Sequence, residues 1–426
     1  MIDTIRNAWK IIDLRKKILY TILMIIIFRL GSCIPVPLLD PAAMKEIFTS
    51  DNSLFGFIDV ISGGAFQNAT IFAMSITPYI NSSIIMQLLT VAIPALERLQ
   101  KQGEDGRKKI AQITRYGTVV LAFIQAIGLY FMLKSYNAVT NPGLLTAVVV
   151  IFTFTAGTAF LMWLGEQITE KGVGNGISLI IFAGIVSRLP SMAQSLYEYA
   201  KGGGIGLIGV VALLIMIVVV VGLVVMMNEA ERRIPVQYAK RVVGRKMYGG
   251  QSTHIPIKVA SAGVIPIIFA MSIMSFPSTI AGFFGVTSQT GGFWGGFLKI
   301  FSSTSWVYAI LYFLLIIFFT YFYTAIQFNP IEMSNNMKKN GGFIPGIRPG
   351  RPTSEYISKT LSRITLVGAI FLGLIAILPI FINLGLGINN FAIGGTSLLI
   401  VVGVALETVK DMESQMLMRH YKGFLE

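Results

Sequence analysis

Long apolar stretches separated by shorter polar segments run through almost the whole chain. A stretch of about 20 apolar residues matches the ~30 Å hydrocarbon core of a bilayer when it forms a helix. The pattern therefore predicts ten transmembrane helices. The apolar stretches cover residues 18–36, 70–93, 116–134, 145–165, 177–194, 206–228, 257–284, 306–328, 364–386 and 391–408.

The composition supports a membrane protein. Of the 426 residues, 54% are hydrophobic and only 13% are charged, whereas about a quarter of the residues in a typical soluble protein are charged. The mean hydropathy is +0.72. We therefore predict an all-α polytopic membrane protein.

Lysine and arginine are distributed unevenly between alternate loops. If the chain starts inside, 28 of the 34 Lys and Arg residues lie on the cytoplasmic side, mainly in residues 1–17, 94–115, 229–258 and 329–363. Cytoplasmic loops of membrane proteins carry such an excess. We therefore expect both termini in the cytoplasm. The net charge of +14 also fits a second interpretation, a docking surface for an anionic partner.

Two segments depart from the simple pattern. Residues 53–69 are too short and polar to span a bilayer, yet contain several apolar side chains. They fit either a half-helix folded back into a cavity or a helix on the outer surface. Polar or proline residues of the stretch 70–93 include Ser75, Thr77, Pro78, Asn81, Ser82, Ser83 and Gln87. Pro78 would leave a helix carbonyl unpaired. This helix is therefore expected to line an interior.

Ionisable side chains are almost missing between the ends of the ten stretches. Ion-coupled transporters usually carry such groups at membrane depth. The chain has one cysteine, two histidines and no phosphate-binding glycine loop, so neither an enzyme nor a cofactor is expected. A path lined by apolar and small polar side chains fits best, with a secondary transporter of a small solute as the alternative.

Seven strings in register extend this interpretation. They are TPYINSSIIMQLLT at 77–90, GEDGRKKIAQITRYGT at 103–118, EKGVGNGISLIIFAGI at 170–185, ERRIPVQYAKR at 231–241, QSTHIPIKVASAGVIPIIFA at 251–270, GIRPGRPT at 346–353 and GGTSLLIVVGV at 394–404. Together they resemble the SecY/Sec61-alpha family, the central channel subunits of protein translocases. The resemblance covers essentially the whole chain.

The resemblance implies an architecture and a function. Two pseudo-symmetric inverted halves of five helices, 1–200 and 201–426, would hinge near 195–205. A re-entrant plug half-helix would cover 55–66. The channel would lie in the bacterial cytoplasmic membrane, conduct unfolded, signal-bearing polypeptides across it and release transmembrane segments sideways into lipid. Expected partners are SecE- and SecG-like small subunits, the motor ATPase SecA, the ribosome, precursor polypeptides with their signal sequences, and membrane lipids.

The resemblance also assigns residues to the path. The apolar pore ring would consist of Ile76, Ile80, Ile177, Ile181, Ile268 and Ile400. The plug would contain Phe57, Ile58, Asp59, Val60, Ile61, Ser62, Gly63 and Gly64. The lateral gate would include Gln87, Gln125, Ser272, Ser275 and Phe276. From the residues alone, an isoleucine in a span usually contacts lipid or packs against another helix, and polar gate residues equally fit ordinary helix contacts.

Basic residues in two loops, 229–258 and 329–363, would dock SecA and the ribosome. The candidates are Arg232, Arg233, Lys240, Arg241, Arg245, Arg348 and Arg351. Arginine suits both partners because its guanidinium binds phosphates and carboxylates through two hydrogen bonds. Ordinary positive-inside charge is the competing explanation.

Overall fold

The fold is a bundle of helices with two small sheets, described from a computed structural model. The structure describes residues 2–40, 62–135, 137–201, 207–238, 241–243, 246–248, 252–283, 293–301, 305–386 and 395–422.

Helices account for most of the described chain, which confirms the predicted helical class. The helices are α1 (Ile2–Lys10), α2 (Ile12–Gly31), α3 (Thr77–Ala92), α4 (Pro94–Lys101), α5 (Glu104–Ser135), α6 (Leu144–Lys171), α7 (Gly176–Ser187), α8 (Leu189–Lys201), α9 (Leu207–Glu229), α10 (Ile265–Phe283), α11 (Phe293–Ile300), α12 (Trp306–Gln327), α13 (Pro330–Lys339), α14 (Arg351–Leu386) and α15 (Gly395–Lys422). The strands are β1 (Glu231–Tyr238), β2 (Arg241–Val243), β3 (Lys246–Tyr248), β4 (Ser252–Lys258) and β5 (Gly342–Phe343).

Each of the ten predicted stretches falls on a helix, in order: α2, α3, α5, α6, α7, α9, α10, α12, α14 and α15. By length and composition, five helices among the described residues could cross a membrane on their own: α5, α6, α9, α12 and α14. A sixth span results if α3 and α4 are counted together, although these two helices are bent by 100°. Helices α7 and α10 are apolar but shorter.

Two helices, α3 and α10, begin several residues later than their predicted stretches. Residues 71–76 form turns, and helix α3 begins at Thr77. Pro78 therefore lies in the first turn of α3, where the missing N–H costs no helical hydrogen bond. Contrary to our expectation, Pro78 leaves no carbonyl in the helix without a partner. Similarly, α10 begins only at Ile265, because residues 252–258 form a strand and residues 259–264 form turns.

The helices pack in two groups. In the first, α5 contacts α3 and α6, while α6 also contacts α2 and α7. In the second, α12 packs between α10 and α14, and α15 contacts α9 and α14. The groups meet where α5 contacts α10 and where α7 contacts α15.

The loops between α9 and α10 and between α12 and α14 fold together into one structure, here named the sheet unit. Its antiparallel sheet has the strand order β4-β1-β5, with Ile234 paired to Ile255. Ile234, Val236 and Ile257 are at most 2% exposed and pack against α13 and the start of α14. The alternation of exposed and buried residues along β1 is the period of a half-buried strand.

The two ends of the chain meet in a second contact, here named the terminal clasp. The hydroxyl of Thr4 donates to Glu413 Oε1 at 2.9 Å, and Lys17 Nζ donates to Gln415 Oε1 at 3.0 Å. The N–H of Gly174, between α6 and α7, donates to Asp411 Oδ2 at 3.0 Å. The clasp therefore joins α1, α2 and the α6–α7 turn to the end of α15.

Replacing Gly157 by alanine is expected to destabilise the fold by about 1–3 kcal/mol, the usual cost of overpacking. A Cβ at Gly157 of α6 would overlap the carbonyl oxygen of Ile71, which belongs to the turns before α3. The matched control is Gly222→Ala on α9, where a Cβ meets nothing within 4 Å and alanine favours the helix. Thermal unfolding of the purified protein should show a lower melting temperature for Gly157→Ala alone. Equal melting of both variants would contradict the close approach.

Candidate functional site

Most residues of the predicted ring lie in one buried apolar cluster, here named the isoleucine cluster. Ile76, Ile181 and Ile400 are its core members and are 0%, 4% and 2% exposed. Ile80 and Ile177 are partly buried and pack against it. The cluster joins residues from α7, α15 and the N-terminal end of α3, and so lies where both helix groups meet.

The sixth ring candidate, Ile268, is partly buried on α10. Val264, in the turn just before α10, packs against the core residues of the cluster. The sequence analysis missed Val264. Val264 and Ile268 are four residues apart, and the Ile268 N–H donates to the Val264 carbonyl at 3.3 Å; this spacing was the available signal.

Helix α7 is held so that Ile177 and Ile181 face the cluster. The side chain of Asn175 caps its N-terminus by accepting from the N–H groups of Ile177 and Ser178 at 3.1 and 3.3 Å. Gly176 lies against the backbone of Gly165 on α6, where any larger side chain would overlap the Gly165 carbonyl. A cap and a close backbone contact thus fix the position of this helix.

Helix α3 has two different faces. Ile80, Ile84 and Leu88, spaced four residues apart, contact the apolar core of the second helix group. On another face, the Ser82 hydroxyl donates to the Thr114 carbonyl of α5 at 2.9 Å. Helix α3 is therefore inserted between the two groups, which places its polar residues inside the bundle rather than against lipid.

The predicted plug is only partly described. Phe57, Ile58, Asp59, Val60 and Ile61 lie outside the described residues. Ser62 is completely buried, and Gly63 and Gly64 have φ angles of +67° and +85°, which glycine adopts without strain. The adjoining Ala65 is completely buried within the isoleucine cluster. The described end of this segment is therefore packed inside the bundle.

The predicted gate residues lie on α3, α5 and α10, and α5 contacts α10. Gln87, Gln125 and Ser272 are partly buried. The Ser275 hydroxyl donates to the Ser272 carbonyl of its own helix at 2.9 Å, so this bond does not join two helices. Phe276 is 58% exposed.

The docking candidates lie on and beside the sheet unit. Arg232 and Arg348 are exposed. Arg233 pairs with Glu231 at 2.6 Å, and Arg351 pairs with Glu355 at 3.0 Å. Lys240 and Arg245 lie outside the described residues, and so does the side chain of Arg241 on β2.

The turn that carries Arg348 is fixed at both ends. Gly346 and Gly350 have φ angles of +80° and +103°. The Ser334 hydroxyl of α13 donates to the Gly350 carbonyl at 2.7 Å. The Thr353 hydroxyl of α14 donates to the Arg348 carbonyl at 2.8 Å. Arg348 is thus an exposed cation on an ordered turn of the sheet unit.

The chain matches the SecY family model over residues 70–409. It is 47% identical over 437 residues to the protein translocase subunit SecY of Halalkalibacterium halodurans, and the match covers 100% of both chains.

Two solved structures share the fold. One is a protein-conducting channel, with a TM-score of 0.67, 20% identity, and coverage of 94% of this chain and 92% of that one. The other is a SecY protein whose plug domain stabilises the closed state of its translocation channel and maintains a membrane seal. Its TM-score is 0.67, its identity is 18% and its coverage is the same.

Replacing Gly117 by alanine is expected to weaken the contact between α3 and α5. A Cβ at Gly117 would lie 2.7 Å from the Ser82 hydroxyl oxygen, so the hydroxyl must move away from the Thr114 carbonyl. A hydrogen bond of this kind contributes about 1 kcal/mol. Thermal unfolding should show a lower melting temperature for Gly117→Ala.

The double variant Ser82→Ala/Gly117→Ala supplies the control. Removing the hydroxyl also removes the clash. The double variant should therefore lose less stability than the sum of the losses of the two single variants, as expected for residues in contact. Strictly additive losses would show that Ser82 and Gly117 do not meet.

Proposed function

The chain belongs to the SecY family, and from this premise we propose that it forms the channel of a protein translocase. It conducts unfolded, signal-bearing polypeptides across the membrane and releases transmembrane segments into lipid. The observation that carries the proposal is the isoleucine cluster, built from both helix groups, in a chain that matches a translocase subunit over its full length.

The ring of the resting channel is formed by Ile76, Ile80, Ile177, Ile181, Ile268 and Ile400. A narrow apolar constriction excludes water and therefore ions without a charged filter. Isoleucine offers no hydrogen bond to a passing backbone, and its branched Cβ restricts its rotamers. Such a ring can close around chains of any sequence without binding them.

The plug covers residues 55–66, and the solved SecY structure with a plug domain supports this assignment by analogy. The buried Ser62 and Ala65 support a position beside the ring rather than on the outer surface. In the resting state the plug would add a second barrier to the dry ring.

The lateral gate lies between α3 and α5 on one side and α10 and α12 on the other, where α5 contacts α10. Its candidate residues are Gln87, Gln125, Ser272, Ser275 and Phe276. It opens when the halves 1–200 and 201–426 separate on this side, while α7 and α15 remain together. Contacts between membrane helices through polar side chains are weak, at ~0.6 kcal/mol each. A signal sequence can therefore replace them with apolar contacts of its own.

The protein is a multi-pass membrane protein, and its basic surface determines its orientation and its partners. With the sheet unit and both termini in the cytoplasm, Arg232, Arg233 and Arg348 face SecA and the ribosome. SecE- and SecG-like subunits complete the translocase in the membrane. The sheet unit presents both docking loops on one folded core.

A moving precursor should crosslink to position 80. Cys33 is an exposed free cysteine, so Cys33→Ser provides the background for Ile80→Cys. The control is Ile85→Cys, on the same helix but 43% exposed and turned well away from Ile80. Vesicles with the small subunits, SecA and ATP should import a signal-bearing precursor, and a stalled precursor should crosslink at 80 and not at 85.

Each result has a distinct meaning. Import without crosslinking at 80 would remove Ile80 from the path and leave the channel function. Absence of import with all partners present, together with uptake of a small solute, would instead indicate a secondary transporter.

Replacing Arg348 by alanine is expected to weaken SecA binding about tenfold, equivalent to ~1.4 kcal/mol, because the exposed guanidinium that would bind SecA is lost. This loss of affinity should become smaller as the salt concentration is raised, since salt screens exposed charges. The control is Lys101→Ala on α4. The exposed Lys101 ammonium already pairs with Glu97 at 2.6 Å, and its hydrogen bond lowers the pKa of Glu97. Equal binding by both variants in a titration would reject the docking role of Arg348.

A further inference from the structure

Arg29 lies in the last turn of α2 and belongs to neither the proposed ring nor the proposed gate. Its side chain joins three segments of the chain. Its Nη1 donates to the Gly63 carbonyl at 3.2 Å and to the Ser187 hydroxyl oxygen at 2.9 Å. The Ser187 hydroxyl in turn donates to the Gly184 carbonyl on α7 at 2.6 Å. A single guanidinium thus connects α2, the turn at 62–65 and the end of α7.

The turn lies unusually close to α7. A Cβ on Gly63 would be 2.9 Å from the Cα and carbonyl oxygen of Gly184 and from the Ser187 hydroxyl oxygen. Gly63 also has a φ of +67°. Only glycine at position 63 allows this backbone contact, so the carbonyl that Arg29 binds is positioned by close packing as well as by the hydrogen bond.

The same turn borders the isoleucine cluster. Ser62 and Ala65 are completely buried, and the Phe66 N–H donates to the Ser62 hydroxyl oxygen at 3.2 Å. Ala65 packs within the cluster that contains Ile76 and Ile181. A displacement of the turn away from α7 would therefore open packing directly at the proposed ring.

The charge of Arg29 strengthens this connection. The side chain is partly buried, and both of its described acceptors are neutral. Hydrogen bonds from a charged donor are stronger than those between neutral groups. A charged residue on a membrane helix is costly, so it usually marks a functional position.

We propose that Arg29 is the positioning residue that holds the 62–65 turn against α7 and thereby keeps the resting channel sealed. This proposal rests on the proposed function of the chain as a channel. Ser187 assists by accepting from Arg29 and donating to Gly184. Two hydrogen bonds and one glycine contact hold the turn firmly in the resting state, yet few bonds need to break when the channel opens.

The test uses the full translocase in vesicles, with two readouts: iodide flux in the absence of precursor, and precursor import. Arg29→Gln should raise the resting flux about tenfold, the change that a loss of ~1.4 kcal/mol makes in an open–closed equilibrium. Arg29→Lys keeps the charge but replaces the planar guanidinium by an ammonium on a shorter side chain, so its flux should lie between Arg29→Gln and the parent. The control, Lys134→Gln, removes an exposed cation and should leave the flux unchanged.

Two further variants approach the same contact without removing the charge. Ser187→Ala removes one acceptor, and Gly63→Ala forces the turn away from Gly184. Both should raise the resting flux while import continues. If Arg29→Gln is not recovered as folded protein, these two variants decide the proposal.

The outcomes separate the two proposals. Parental resting flux in Arg29→Gln, Ser187→Ala and Gly63→Ala would overturn the role of Arg29, whether import persists or is lost. A parent translocase that imports no precursor would overturn the proposed function, while the flux of the variants would still report whether Arg29 seals the protein.

Discussion

A hydrocarbon environment offers no water to backbone N–H and C=O groups, so the protein must satisfy them internally. Helices do this within one segment, whereas the turns at 62–76 depend on neighbouring backbone. The Val36 N–H donates to the Ala69 carbonyl at 2.8 Å, and the Ile71 N–H donates to the Ile34 carbonyl at 3.0 Å. The segment that follows α2 thus supports the irregular segment that leads into α3, and with it the position of Ile76.

The same constraint explains why apolar packing, rather than charge, joins the two helix groups at the isoleucine cluster. An ion pair there would carry a large desolvation cost and would hold the groups together tightly. Contacts among Ile181, Ile400 and Val264 are individually weak and collectively strong. They exclude water while closed, and nothing in them is specific to one passing side chain.

The sequence predicted the helices well because each had to be apolar over the thickness of a bilayer. The start of α3 was misplaced, since residues 70–76 are as apolar as a helix, although Pro78 marks a first turn. The sheet unit was missed because hydropathy averages over Ile234, Val236 and their polar neighbours, whose alternation is the strand signal.

The site was less predictable than the fold. The sequence of a span does not show whether an isoleucine contacts lipid, another helix or a pore. The ring residues were therefore predicted from the family resemblance. The contacts of Arg29 depend on Gly63 and Gly184, which are far apart in the chain. Such a backbone approach leaves no periodic pattern in the sequence.

The terminal clasp can form only late in biosynthesis. Thr4 and Glu413, whose side chains meet at 2.9 Å, are separated by 409 residues, nearly the whole chain. Proteins are made from the N-terminus onward, so α1 emerges first and waits for the final helix to be completed. Until α15 has been inserted, the contact between α7 and α15 is also missing. A nascent chain that lacks α15 therefore lacks both the terminal clasp and one of the contacts that join the two helix groups.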